Sequence, residues 1–318
     1  LQRFSETHGS VLLRNDSARG YTRAANQGLD RSTAEYVVLL NSDTVVTPEW
    51  LDRMVACAES SSEIGLVGPL SNTASWQSIP YVDSGGDWAA NPLPPGLSID
   101  EMAHLVARYS SRIYPPMPLL NGFCLLVRRG LIDEIGLFDE ETFGDGYGEE
   151  NDYAIRARQA GWRLALADDT YVYHAQSRSY SSETRVRLSH QSGLALTRKH
   201  GERIISDGVA ACSQDRVLQG IRARSRAMVA RQKWIRKGAE EFGGQRVLFL
   251  LGLAAAGGGA NVVIDEARAM REMGVNVRIF NPAIYREGFE RAYPSLDVPV
   301  LYGEPEQVVS LATDYDAI

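Results

Sequence analysis

Tyr36-Val37-Val38-Leu39-Leu40-Asn41-Ser42-Asp43-Thr44 is the stretch whose reading decides the fold. An unbroken run of apolar residues leads straight into a short polar tip that carries a carboxylate. That pattern predicts a sheet strand, and the carboxyl end of such a strand is where open α/β folds place ligands. Thr47, Pro48 and Glu49 follow and read as an N-cap, a proline at the first helical position and an acid in the first turn. Asp43 is therefore expected on a tight strand-to-helix connection. Taken alone, an Asn-x-Asp tip is more often a plain turn, so its neighbours must decide.

The chain has 318 residues, enough for about two domains. No run approaches the roughly 18 apolar residues of a membrane-spanning helix, and the start does not read as a signal peptide. Cys57, Cys124 and Cys212 are widely spaced and form no Cys-x-x-Cys, which argues against a disulfide framework or a zinc knuckle. A net charge of −7 argues against a general nucleic-acid binder, because phosphate-backbone affinity needs a basic surface. Leu1 opens the chain in what reads as the end of a helix before a strand Val11-Leu12-Leu13. Asp314-Tyr315-Asp316-Ala317-Ile318 reads as the first residues of a buried strand. Both ends are expected to be cut from a longer protein.

From Ser10 to about Ile205, short apolar runs alternate with helical patterns, as in a layered α/β domain. Ser98-Ile99-Asp100-Glu101 is a capping box before Met102, Leu105 and Val106. A helix is expected from Glu150 to Ala160, closed by Gly161. The Pro- and Gly-rich passage from Tyr81 to Gly96 reads as a long surface loop.

The densest polar site is Phe143-Gly144-Asp145-Gly146-Tyr147-Gly148-Glu149-Glu150-Asn151-Asp152-Tyr153. Four carboxylates lie within eight positions beside glycines that tolerate unusual backbone angles, at the start of a helix where anions are favoured. Singly, Glu149 and Asp152 read best as capping acids. The cluster as a whole suits a carboxylate working as a base near a cation or a cationic transition state. Thr170-Tyr171-Val172-Tyr173-His174 reads as a strand ending in histidine. Such a residue is usually structural, but its imidazole also suits a borderline cation such as Mn²⁺ beside Asp43.

Taken in order, these elements resemble the inverting GT-A-fold glycosyltransferases of family two. The series begins with the helix Arg19-Gly20-Tyr21-Thr22-Arg23-Ala24-Ala25-Asn26-Gln27-Gly28 and the Asp43 tip. It continues with Gly122-Phe123-Cys124-Leu125-Leu126-Val127-Arg128-Arg129 and the turn Gly136-Leu137-Phe138-Asp139-Glu140. It closes with Glu149-Glu150-Asn151-Asp152, Arg156, Gly161 and Val172-Tyr173-His174. The resemblance spans about Ser10 to Gly201. It implies a Rossmann-like mixed sheet and transfer, with inversion, from a nucleotide-diphosphate-sugar to a glycan or lipid-linked acceptor in surface polysaccharide or O-antigen assembly. It implies a divalent metal, Mn²⁺ or Mg²⁺, held by Asp43 and His174, and Glu150 as general base. Asn41 stands where the family more often has Asp and is expected near ribose or metal-bound water, with Arg23 and Asn26 as further donor contacts. Glu149, Asp152, Asp145 and Gly122 are expected at the acceptor or the sugar. Many members have Asp at the Glu150 position, and the family's first strand and base-recognition loop have no counterpart here. A cytoplasmic location on the inner face of a membrane follows from the same resemblance. The alternative is a non-catalytic glycosyltransferase-like module that binds glycan or scaffolds an assembly.

Beyond residue 205 the character changes. Residues 206–243 form a basic linker in which Arg222, Arg224, Arg226, Arg231, Lys233, Arg236 and Lys237 crowd a helical stretch from Gln219 to Phe242. Either this is a solvated helix, or it rests on an anionic membrane surface or a partner. From Gly244 on, Arg246-Val247-Leu248-Phe249-Leu250-Leu251, Gly257-Gly258-Gly259, a helix from Asn261 to Met273 and Val275-Asn276-Val277-Arg278-Ile279 read as a βαβ unit. It lacks the dinucleotide and NTPase phosphate-loop motifs. It resembles the start of a GT-B-fold glycosyltransferase domain of family four, a partial Rossmann-like half-domain.

Overall fold

The computed structural model describes residues 2–17, 19–84, 87–144, 146–175 and 182–318. The chain folds as two compact units, one made of residues 1–93 and 97–226, the other of residues 94–96 and 227–318.

The opening stretch forms the strand Tyr36–Leu40 at the edge of a four-stranded mixed sheet. Its neighbour Cys124–Arg128 runs antiparallel to it and to Ile64–Leu70, which runs parallel to Arg163–Tyr171. Ile64–Leu70 is buried at every position, as a central strand covered on both faces must be. The helix Trp50–Glu59 turns Met54, Cys57 and Ala58 onto the sheet, where they meet Ile64, Val67, Cys124, Leu126 and Ala165. Those three positions recur at helical spacing, so one face of the helix is apolar. The capping box closes as expected, with Ser98 accepting from the Glu101 amide at the start of Ile99–Tyr109. Glu149–Gln159 is helical, and Gly161 follows with φ 91°.

Three expectations need correction. Thr47 does not cap a helix: its hydroxyl donates to the Tyr171 carbonyl at 2.8 Å, and the helix starts only at Trp50. Val11-Leu12-Leu13 is not a strand; Val11 and Leu13 are exposed, and among the described residues no strand pairs with them. The Thr170–His174 strand is in fact two pieces, Arg163–Tyr171 and Tyr173–His174. Between Pro69 and Leu70 the register jumps from Ala167 to Tyr171, which turns the chain so that His174 pairs with Thr44.

The basic stretch belongs to one long helix, Arg216–Phe242, and residues up to Arg226 are part of the first unit. Arg222 is buried, Arg224 half-buried and Arg226 exposed. They donate to the carbonyls of Trp76, Tyr109 and Pro80. Among the described residues no helix is long and apolar enough to cross a membrane.

In the second unit, Arg246–Leu250, Asn276–Pro282 and Val300–Gly303 form a parallel sheet with Asn276–Pro282 in the middle. The helix Gly258–Glu272 follows the glycine-rich turn and packs Ile264 and Ala267 against Val277 and Ile279. Ala317 bridges to Val247 in parallel on the outer side of the first strand.

Candidate active site

Directly after the polar tip Asn41–Asp43, Thr44–Val45 pairs with the short strand Tyr173–His174 in a two-stranded ribbon, and the Ala175 amide donates to the Asp43 carbonyl at 2.8 Å. His174 Nε2 then lies 3.4 Å from Asp43 Oδ1, with both side chains largely buried. The other ring nitrogen, Nδ1, is 3.0 Å from the Thr73 carbonyl. A carbonyl only accepts, so Nδ1 carries a proton, and whenever Nε2 carries none it turns a lone pair toward the carboxylate. A carboxylate oxygen and an imidazole nitrogen at this distance can share a proton or hold a metal ion between them. A carboxylate oxygen with an imidazole whose far N–H is tied to a backbone carbonyl is a donor set suited to a borderline divalent ion. Among the described residues no third His, Cys, Asp or Glu completes a protein-only cage.

Asn72 clamps the His174 backbone from both sides, accepting its N–H at 2.8 Å and donating to its carbonyl at 3.0 Å. Phe123 stacks on the imidazole with centroids 5.2 Å apart, and the Phe123 carbonyl accepts from the Asn41 amide at 2.9 Å. One residue earlier, Gly122 abuts Glu150: a methyl group there would sit 3.3 Å from Glu150 Cβ. Asn121 holds this segment by accepting from the Phe123 amide and donating to Ser75 Oγ. Asn121-Gly122-Phe123 therefore links the Asp43–His174 pair to Glu150.

Glu150 accepts from the Gly148 amide at 3.1 Å and from the Asn151 side chain at 3.2 Å. Glu149 is 5 % exposed, and among the described residues its Oε2 finds no partner. Burial, and then the charge of Glu150, push the Glu149 carboxyl up to about 9. Burial also raises Glu150, but the donors around it oppose that rise. The higher of the two is Glu149, so at neutral pH it keeps its proton. Gly148, at φ 90°, has Ser192, Leu196 and Phe143 against it, so both the backbone angle and the space require glycine.

The remaining expected residues fall elsewhere. Asp152 is fully buried and is met by Arg156 at 2.8 Å and by Lys199 and His200 at 2.7 Å each, all from its own chain. Asn26 has both ends of its amide on the Phe138 backbone, where it holds a turn. Arg23 lies 3.6 Å from Glu140, beside Gly144. Among the described residues the Asn41 side chain makes no hydrogen bond. Asp145 lies outside the described residues.

The family profile for glycosyltransferase like family 2 matches residues 3–192. The chain belongs to that family. It is 28 % identical over 171 residues to the N-acetylglucosaminyl-diphospho-decaprenol L-rhamnosyltransferase of Mycobacterium tuberculosis, covering 49 % of this chain and 52 % of that protein. An uncharacterized Mycobacterium bovis protein is 25 % identical over 159 residues, covering 49 % of this chain and 53 % of its own length. The chain thus spans about half the length of the curated relatives it matches. Among solved structures it is similar to mannosyltransferase PcManGT from Pyrobaculum calidifontis in complex with GDP-Man and Mn²⁺, at 17 % identity, 73 % coverage of each chain and a TM-score of 0.38. It is also similar to GalNAc-T7 with UDP, GalNAc and Mn²⁺, at 15 % identity, covering 71 % of this chain and 45 % of that one, with a TM-score of 0.40.

In this family 2 glycosyltransferase domain, sequence reasoning missed Asn72, Thr73 and Asn121, the residues that hold His174 and the Gly122 segment. A signal for the first two was present. Ile64–Leu70 is a second apolar run that ends in a polar tip, Ser71-Asn72-Thr73, as Tyr36–Leu40 ends in Asn41-Ser42-Asp43. Asn121 has no such signature, because its partners Ser75 and Gln77 lie more than forty residues away.

Proposed function

We propose that this chain transfers a sugar from a nucleotide-diphosphate-sugar to a hydroxyl of a glycan or lipid-linked saccharide, with inversion at the anomeric carbon. The observation that carries the reading is the Asp43–His174 pair, a carboxylate oxygen and an imidazole nitrogen 3.4 Å apart, which is a donor set for a divalent cation. Asp43 and His174 would hold Mn²⁺ in preference to Mg²⁺, since an imidazole ligand suits the softer ion. Bound there, the metal would neutralise charge that develops on the leaving diphosphate. Glu150 is the general base. It takes the acceptor hydroxyl's proton while that oxygen bonds to the anomeric carbon. The bond from that carbon to the phosphate oxygen breaks, and its electron pair leaves with the nucleoside diphosphate. Asn41, at the same tip, is the donor contact on the same side.

A lipid-diphosphate acceptor is favoured by the likeness to a transferase whose name specifies one. Such an acceptor would place the site at the inner surface of a membrane. The second unit we read as the start of a Rossmann-like GT-B half-domain. In support, Ala317 on one edge of its parallel sheet and Val300–Gly303 on the other give the strand sequence of a doubly wound fold.

The test is a panel of nucleotide sugars assayed for Mn²⁺-dependent release of nucleoside diphosphate, with Glu150→Gln in parallel. Release from one donor should fall roughly 10²–10⁴-fold in the variant while nucleotide binding persists. Equal activity in both proteins would remove Glu150 from the mechanism. Absence of both binding and release would favour the non-catalytic glycan-binding or scaffold module.

A further inference from the structure

We propose that Arg222 is a positioning residue for His174, acting from the helix Arg216–Phe242 through the carbonyl of Trp76. The inference rests on the metal-site reading above.

Arg222 is 7 % exposed, and among the described residues no carboxylate lies within 4.0 Å of its guanidinium. Burial of a cation with no carboxylate in direct contact is unfavourable and pulls its pKa down, with the more distant charge of Asp215 opposing that shift. The contact this side chain makes is a 2.6 Å hydrogen bond from Nη2 to the Trp76 carbonyl. Leu218, Ile221 and Ser225, buried on the same helix, fix the place from which the arginine reaches. A buried charge aimed at one loop carbonyl makes physical sense if the position of that loop matters.

Trp76 lies in the turn Ser75–Gln77, in the middle of a loop bound up by its own hydrogen bonds. The Ala74 amide donates to Ser78 Oγ at 2.8 Å, the Gln77 amide to the Ala74 carbonyl at 3.0 Å and the Ser71 amide to the Gln77 carbonyl at 3.1 Å. These bonds tie the two arms of the loop to each other. One of its arms carries Asn72 and Thr73, which clamp the His174 backbone and set its tautomer. The other carries Gln77, whose Oε1 accepts from the Asn121 amide at 2.6 Å. Arg226 braces the next stretch at the Pro80 carbonyl and lies over the Tyr81 ring. Releasing the Trp76 carbonyl therefore loosens the Thr73 carbonyl, and with it the lone pair that His174 offers to a cation.

The experiment uses the full chain labelled with ¹⁵N-histidine and follows the His174 ring by NMR, with melting temperature measured alongside. Without metal, the wild type should show the tautomer protonated at Nδ1. Arg222→Met should show a mixture, and the Mn²⁺ concentration that broadens the His174 signal to half should rise about 10-fold. Arg222→Lys, which keeps the charge and a donor, should recover most of the wild-type response. A folded Arg222→Met with wild-type tautomer and midpoint overturns the proposal. If that variant does not fold, Arg222→Gln is judged by the same two readouts; if neither folds, the residue is structural and the proposal falls. Asp43→Asn separates the two readings. An unchanged Mn²⁺ midpoint in Asp43→Asn refutes the metal site itself, whereas the tautomer still decides the part played by Arg222.

Discussion

Glu149 and Glu150 are adjacent, chemically identical and electrostatically unequal. Glu150 has the Gly148 amide and the Asn151 side chain to stabilise its charge, whereas Glu149 has a buried oxygen with no partner among the described residues. Glu149 therefore keeps its proton, and the residue better placed to accept one is Glu150. This has a stability consequence. An unfolded glutamate titrates near 4.3, and folding raises Glu149 to about 9. Between these values the folded state binds more protons than the unfolded one, so stability falls as pH rises, by up to about 1.4 kcal/mol per pH unit. Glu149→Gln removes that slope. Its melting temperature relative to wild type should therefore climb between pH 5 and pH 8. A constant difference across that range would mean that Glu149 is ionised in the folded protein.

The helix Glu149–Gln159 presents the base from its first turn and is tied down one turn later by Asp152. Arg156, which grips Asp152, also donates to the carbonyls of Ile135 and Leu137, and Lys199 reaches both Asp152 and Asp139. The helix that ends at His200 is thereby fastened to the helix that carries Glu150. Burial alone would raise the Asp152 carboxyl, but Lys199, His200 and Arg156 outweigh it and hold it below the usual range. A depressed carboxylate contributes stability above its unfolded value, near 3.9, and loses that contribution as pH falls through the folded value. Asp152→Asn should therefore destabilise the first unit by about 3–5 kcal/mol at pH 7, the usual effect of breaking a buried ion pair. The deficit should shrink below pH 4, as measured by urea unfolding at both pH values. An equal deficit at the two pH values would show that the charges do not matter. At this scale the sequence was legible wherever the signal is local, as in the Ser98–Glu101 box and the Gly161 stop. It misled at Thr47, whose hydroxyl finds the Tyr171 carbonyl 124 positions away instead of its own helix.

The two compact units have separate cores, one around Met54, Val67 and Leu126, the other around Ile264, Val277 and Phe289. Separate cores predict separate cooperative transitions. Trp50, Trp76, Trp88 and Trp162 belong to the first unit, and Trp234, in the second, is largely exposed. Denaturant unfolding followed by tryptophan fluorescence should thus report mainly the first unit and diverge from the circular-dichroism curve, which reports both. Coincident curves would mean one cooperative whole. The alternation of elements, the polar tip at Asp43, the acids at the start of a helix and the histidine at a strand end were all determined by sequence alone. Each is a pattern of neighbours within a few positions, where periodicity and capping act. Tertiary structure alone decided which of these side chains stay available. It brought His174 to Asp43, set the ring's tautomer from Thr73, 101 positions earlier, and set Glu150 against Gly122. It also committed Asp152 and Asn26 to holding the fold. Those contacts arise from sheet order and loop packing, and hydrogen bonds between distant segments leave no period in the sequence to read.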